Sequence, residues 1–196
     1  MARYTKIPTD TFKHLVINAG VLLKEFTPST GAWEPKDQIG ATTGGMTFTT
    51  NPAFTDYGSD VDNCPKNTKE MKRLDDIEAK LSGTLLTITP DVAKSLLAAA
   101  DVDGTDTTKV VLRRDLADTD FSDIWFVGDY SDKNGANKGG CIAIHLMNAL
   151  STGGFQLKST DKNKGQMAFE YTAHYSISNP DVVPVELYIV AGTAET

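Results

Sequence analysis

Asp101-Val102-Asp103-Gly104-Thr105 reproduces, letter for letter, the Asp-x-Asp-Gly-Thr pattern in which a leading carboxylate attacks a phosphoryl group. That chemistry needs the first aspartate at the carboxyl end of a buried parallel strand, whereas here an alanine-rich stretch precedes it and no alternation of strand and helix is present to build a doubly wound sheet. As a calcium loop the same stretch fails, because Asp106 stands sixth, where the sharp turn requires glycine. His14, His145 and His174 lack the close spacings by which two imidazoles share a metal. Gly40-Ala41-Thr42-Thr43-Gly44-Gly45 lacks the terminal Lys-Ser/Thr of a phosphate cradle, and no serine sits in a Gly-x-Ser-x-Gly elbow. Cys64 and Cys141 have no second Cys or His at zinc-ligand spacing. Both read as free thiols, Cys141 a small core residue beside Ile142 and Cys64 a loop residue. No catalytic residue, no metal and no cofactor is therefore expected, and the chain reads as a non-enzyme.

The elements that could position any site fit one domain. The 196 residues, 40% apolar and 23% charged, suit a single domain with a substantial core. Nineteen basic side chains stand against 26 acidic ones for a net charge of -7, which argues against a protein that grips nucleic acid through its phosphates. No apolar run reaches the ~18–20 residues that span a bilayer, and no basic stretch followed by an apolar one opens the chain, so a product of the cytoplasm without membrane contact is expected.

The 24 threonines, with Val, Ile and the aromatics, tilt the fold toward β. Residues 1–12 read as an N-terminal arm, residues 14–26 as a strand bulged at Gly20, Pro28-Ser29-Thr30-Gly31 as a turn and residues 33–39 as its return. Met46-Thr47-Phe48-Thr49-Thr50 alternates as a short strand that Asn51-Pro52 is expected to end. Residues 56–76 carry Asp60 and Asp62, then Lys66, Lys69, Lys72 and Arg73, then Asp75 and Asp76, with almost no apolar anchor. A loop that long inside a compact domain is expected to act outside its own subunit. Residues 78–89 read as a strand with a bulge at Gly83 or a two-sided environment near its end, and Thr89-Pro90-Asp91 as the capped start of a helix over 90–101 with Val92, Leu96 and Ala99 on its buried stripe. Strands follow over 109–113, 123–127 and 140–150, the last two joined by a turn at Asp132-Lys133-Asn134-Gly135. After a hairpin tip at residues 161–165, Met167, Phe169, Tyr171, Ala173, Tyr175 and Ile177 alternate strictly with polar or small residues, predicting one core face and one wet face. Val185, Leu187 and Ile189 mark the last strand, and residues 191–196 a frayed end.

In order and pattern, Gly40-Ala41-Thr42-Thr43-Gly44-Gly45-Met46-Thr47-Phe48, the run Lys72-Arg73-Leu74-Asp75-Asp76-Ile77-Glu78-Ala79-Lys80-Leu81-Ser82-Gly83-Thr84-Leu85-Leu86, the Thr89-Pro90 helix start, Asn148-Ala149-Leu150-Ser151-Thr152-Gly153-Gly154-Phe155 and Thr172-Ala173-His174-Tyr175 resemble the major tail tube protein of tailed bacteriophages. The likeness spans residues 12–190 and extends to the secreted tube of type VI systems. It implies a mainly β subunit, a β-sandwich or half-barrel with one flanking α-helix. Six copies form a ring whose inner sheets join into a continuous β-barrel, and rings stack into a tube with a long loop reaching the adjacent ring. The implied partners are copies of the same chain, the tape measure protein, the tail terminator and tail-tip proteins. DNA crosses the lumen unbound, and the implied location is the virion tail, assembled in the host cytoplasm.

A strand with one apolar and one polar face suits a wall around a watery channel. On that basis Thr47, Thr49, Lys80, Ser82, Thr84, Glu170, Thr172 and His174 are expected to face the lumen; the resemblance, with the alternating charge blocks of residues 56–76, implies that Asp60, Asp62, Lys66, Lys69, Lys72, Arg73, Asp75 and Asp76 form the inter-ring loop. The competing reading is a monomeric carbohydrate-binding β-sandwich that stacks sugars on Trp33, Trp125 and several tyrosines.

Overall fold

The computed structural model describes residues 7–130 and 139–192. Its elements in order are β1 (Val16–Leu23), β2 (Thr42–Asp56), β3 (Lys72–Leu85), α1 (Pro90–Leu96), β4 (Ala100–Val102), β5 (Val110–Leu112), β6 (Ser122–Tyr130), β7 (Gly140–Ser151), β8 (Gln156–Lys158), β9 (Gln166–Thr172) and β10 (Val185–Val190). Eight strands pair antiparallel along the path β1-β6-β7-β9-β3-β2, with β10 added to β7 and β8 to β9, and β4-β5 form a separate pair. The fold is mainly β, an open sandwich with one helix.

One strand belongs to both layers. Residues 141–146 of β7 lie between β6 and β10, while Leu150 and Ser151 pair with β9. Asn148, in the left-handed region at φ 48°, marks the corner between those two stretches. The layers share one core: Leu22, Ile124, Ile144 and Leu146 meet Ala79, Leu81, Leu85, Met167, Phe169 and Tyr171, with Val92 and Leu96 of α1 among them.

Much of the local reading matches. The β1 register shifts between Ile17 and Val21, and at Gly20 (φ 70°) a Cβ would lie 2.6 Å from the Phe126 ring. Thr27 and Ala32 bridge across the expected turn, and the return leg contains a short 3-10 turn at Pro35–Asp37. Thr89 caps α1, its hydroxyl accepting from the Val92 N–H at 3.3 Å. The helix ends at Leu96 instead of 101, because Ala98 turns to φ 59° and residues 100–102 pair as β4 with β5; Ala99 lies outside the helical stripe. The turn at residues 132–135, residues 1–6 of the arm and residues 193–196 lie outside the described residues.

Three expectations are corrected. The alternation of β9 holds for Met167, Phe169, Tyr171 and Ala173, but Tyr175 is 40% exposed and Ile177 fully so. The chain leaves the sheet there: Ala173 N–H still donates to Ala79 O, whereas His174 N–H donates to Met147 O on β7. The bulge near Gly83 lies on the partner strand, between Thr43 and Met46, where Gly44 and Gly45 take φ 76° and 79°. Against β9, β3 stays in register across Gly83, which faces Phe169, and its own bulge lies farther out at Asp75, between the Ala53–Asp76 and Phe54–Leu74 pairs. Finally, β2 does not stop at Asn51-Pro52 but runs to Asp56, and β3 begins at Lys72. The expected loop 56–76 therefore shrinks to residues 57–71, and Lys72, Arg73, Asp75 and Asp76 are strand residues. Pro52 is tolerated because β2 is an edge strand, where a missing N–H breaks no ladder.

Candidate assembly surfaces

β3 pairs with β9 from Lys80 to Leu85, so from Glu78 outward its one strand partner among the described residues is β2. Residues 51–56 and 72–78 thus form a two-stranded ribbon extending beyond the sandwich, mostly exposed on both faces. A lone hairpin is marginal in water, so this one depends on its own cross-strand contacts. The Lys72 ammonium lies 4.9 Å from the Phe54 ring centroid and the Arg73 guanidinium 5.3 Å from that of Tyr57. Arg73 donates to Asp75 at 2.8 Å, and Thr55 Oγ1 donates to the other Asp75 oxygen at 2.5 Å. The Thr55 hydroxyl and then the Arg73 guanidinium hold the Asp75 carboxyl below its ordinary range.

Asp56 organises the tip. Its carboxylate accepts from the Asn67 and Gly58 N–H groups, each at 2.9 Å, closing the first part of the connection into a loop. Those two backbone donors, Asn67 first, lower its pKa from the ordinary 3.8. A depressed carboxylate favours the folded tip at pH above its ordinary pKa, and that contribution fades as pH falls through the lowered value. Trypsin cleavage at Lys66 and Lys69 is therefore expected to accelerate in Asp56→Ala at neutral pH. In wild type, amide exchange of Gly58 and Asn67, compared at equal intrinsic rate, is expected to quicken below about pH 4. Unchanged cleavage in the variant would remove Asp56 from this role.

Asp60, Asp62, Lys66 and Lys69 are all exposed on the tip, where Lys69 pairs with its neighbour Glu70 at 3.4 Å. Such a pair contributes about 0–1 kcal/mol, so charge alone anchors little. Reading the charges missed the apolar residues between them. Phe54 (53% exposed) and Leu74 (47%) are cross-strand neighbours on one face, and Tyr57, Val61 and Met71 are exposed beside them at the tip.

The residues expected to face a channel are brought into register. Thr47 pairs with Ser82 and Ser82 with Glu170; Thr49 pairs with Lys80 and Lys80 with Thr172; Thr84 stands one step along the same face of β3. The other face holds Leu81, Leu85, Phe169 and Tyr171 in the core. Lys80 is paired with Glu78 at 2.8 Å, which raises the lysine pKa and lowers the glutamate's. Thr172 is buried at 7%, its hydroxyl 2.7 Å from that of Thr152, which also donates to Glu170. His174 falls outside the row: past the end of β9, its Nδ1 lies 3.2 Å from Asn148 O and its ring meets Phe121 edge-on.

Asp101 and Asp103 sit in the β4-β5 hairpin, far from the geometry phosphoryl transfer needs. Asp101 pairs with Arg113, and Asp103 accepts from the Thr105 N–H and pairs with Lys109. Among the described residues no grouping of three or more His, Cys, Asp or Glu could hold a metal. Both cysteines are free, and burial raises the pKa of the Cys141 thiol, which packs against the Leu23, Phe26, Trp125 and Ala143 cluster. Trp125 offers no sugar platform: it is 8% exposed and its ring stacks on His145 at 3.9 Å.

No protein-family model matches this chain, and no curated protein matches it. Among solved structures, a chain of the virion of a native gene transfer agent particle is similar over 88% of this chain and 96% of its own length, at 8% identity and a TM-score of 0.43.

Proposed function

We propose that this chain is a structural virion subunit that polymerises as stacked hexameric rings into a phage tail tube, a passive channel for genome delivery. The observation that carries the reading is the β2-β3 ribbon, which among the described residues pairs with no third strand and presents Phe54 and Leu74 to solvent. Exposed apolar groups on a projecting ribbon call for a partner surface, and a second copy of the chain supplies one in every ring. Open sheet edges support the same reading. Among the described residues β10 has a ladder only on its β7 side, and it exposes Leu187 (56%) and Ile189 (58%), an arrangement that neighbouring subunits can cover.

The polar face of β2, β3 and β9 suits passage over binding. Its lysine is paired with a glutamate and hydroxyls make up much of the rest, so sliding phosphates meet no cluster of free cations. The proposal extends to the tape measure protein, tail terminator and tail-tip proteins as partners and to the virion tail as location. Negative-stain microscopy of the purified protein, alone and with a tail-tip initiator, is expected to show hollow filaments or six-fold rings. Dispersed particles at high concentration under both conditions would sink the reading.

A further inference from the structure

The ribbon leaves the sandwich at Ile77, and there the ladder on the β9 side runs out. Lys80 pairs with Thr172, and Ala173 N–H donates to Ala79 O at 3.0 Å. The chain then turns toward β7, where His174 N–H donates to Met147 O and Asn148 Nδ2 donates to His174 O. One step farther out, the Ile77 N–H and C=O face the vacated place. The Tyr175 hydroxyl fills it, accepting from the Ile77 N–H at 2.9 Å and donating to the Ile77 O at 3.4 Å. A hydroxyl is both donor and acceptor, so one side chain does for Ile77 what a strand residue does elsewhere in the ladder.

We infer that Tyr175 is a positioning residue that fixes the direction in which the ribbon leaves the sandwich. Among the described residues, no other hydrogen bond ties Ile77 to the body of the sandwich. The groove between the ribbon and the segment after β9, lined by Pro52, Asp76, Glu78 and His174 as well as Tyr175, leaves the tyrosine ring 40% exposed. The hydroxyl thus acts through two directed hydrogen bonds more than through burial. A two-stranded ribbon twists and swings readily, and stacking in register requires every copy to present its ribbon at one angle. This role rests on the assembly reading above.

The test is hydrogen exchange resolved to single amides, on wild type and Tyr175→Phe, combined with the filament assay. In wild type the Ile77 amide is expected to exchange at least about tenfold slower than its unstructured rate. In Tyr175→Phe it should exchange about tenfold faster than in wild type, while the Leu81 and Leu85 amides and the melting temperature stay unchanged and filaments become fewer or irregular. An unprotected Ile77 amide in wild type, an unaltered one in the variant, a general loosening that includes Leu81, or variant filaments as numerous and regular as wild type would each overturn the inference. Wild-type protein that never forms filaments would instead sink the assembly reading, and the Ile77 comparison would still decide whether the hydroxyl holds the ribbon.

Discussion

Phe54→Asp combined with Leu74→Asp is expected to abolish ring stacking while moving the monomer's melting temperature by no more than about 4–8 °C. The two side chains are 53% and 47% exposed, pair across the ribbon and touch no part of the sandwich core. Exposed substitutions away from caps and cores usually shift stability by under about 0.5 kcal/mol, and loss of one cross-strand apolar pair adds about 0.2–1 kcal/mol. For a chain of this length each kcal/mol corresponds to about 2–4 °C. At an interface the balance reverses. Burying an apolar side chain of this size contributes about 1.5–3 kcal/mol, whereas an unpaired carboxylate in the same place opposes contact, and every subunit of every ring carries the change. Sedimentation and negative stain read the outcome together: a folded monomer that no longer polymerises is expected. Normal tubes from the double variant would mean that the ribbon's apolar face is not the contact. The strand bounds also define a cleaner deletion. Removing residues 58–70 and closing with a short turn spares Lys72 and Arg73, which belong to β3.

The ribbon was the part of the fold hardest to read in the sequence, for a physical reason. Alternation of apolar and polar residues reports a strand that buries one face, and a ribbon with both faces in water has no such face to report. Lys72, Arg73, Asp75 and Asp76 therefore resemble a solvated loop although all four are strand residues, with Asp75 a bulge between paired neighbours. Asn51-Pro52 pointed the same wrong way, because a stop signal for a central strand is permissible on an edge. Where one face is buried the pattern was legible: Met167, Phe169, Tyr171 and Ala173 face the core, and Thr47, Ser82 and Glu170 line up on the polar side. It failed again at Tyr175 and Ile177, whose types continue the alternation after the backbone has turned toward Met147. The burial of Thr172 was hidden because Thr152, which covers it, arrives from 20 residues away.

Phe169→Ala is expected to cost about 3–5 kcal/mol, as large aromatic truncations in packed cores do, and to lower the melting temperature by about 6–20 °C. Phe169 is 2% exposed and pairs with Gly83 of β3, a core-facing position without a side chain. A Cβ on Gly83 would sit 2.8 and 2.9 Å from two atoms of the Phe169 ring and 3.1 Å from Met46 Cγ, so the ring occupies the space that Gly83 leaves open. Gly83→Ala in the wild-type background should therefore cost about 1–3 kcal/mol through overpacking. Once the ring is gone the same methyl meets a cavity, and alanine restricts the unfolded chain more than glycine does. The two changes should then be strongly non-additive, with Phe169→Ala plus Gly83→Ala at least as stable as Phe169→Ala alone. Thermal melts of the four proteins measure that coupling, and additive losses would show that the ring and the glycine are not complementary. Because neither residue belongs to the ribbon, each of these variants should still form tubes at temperatures well below its own melting point, whereas Phe54→Asp with Leu74→Asp should form none at any temperature.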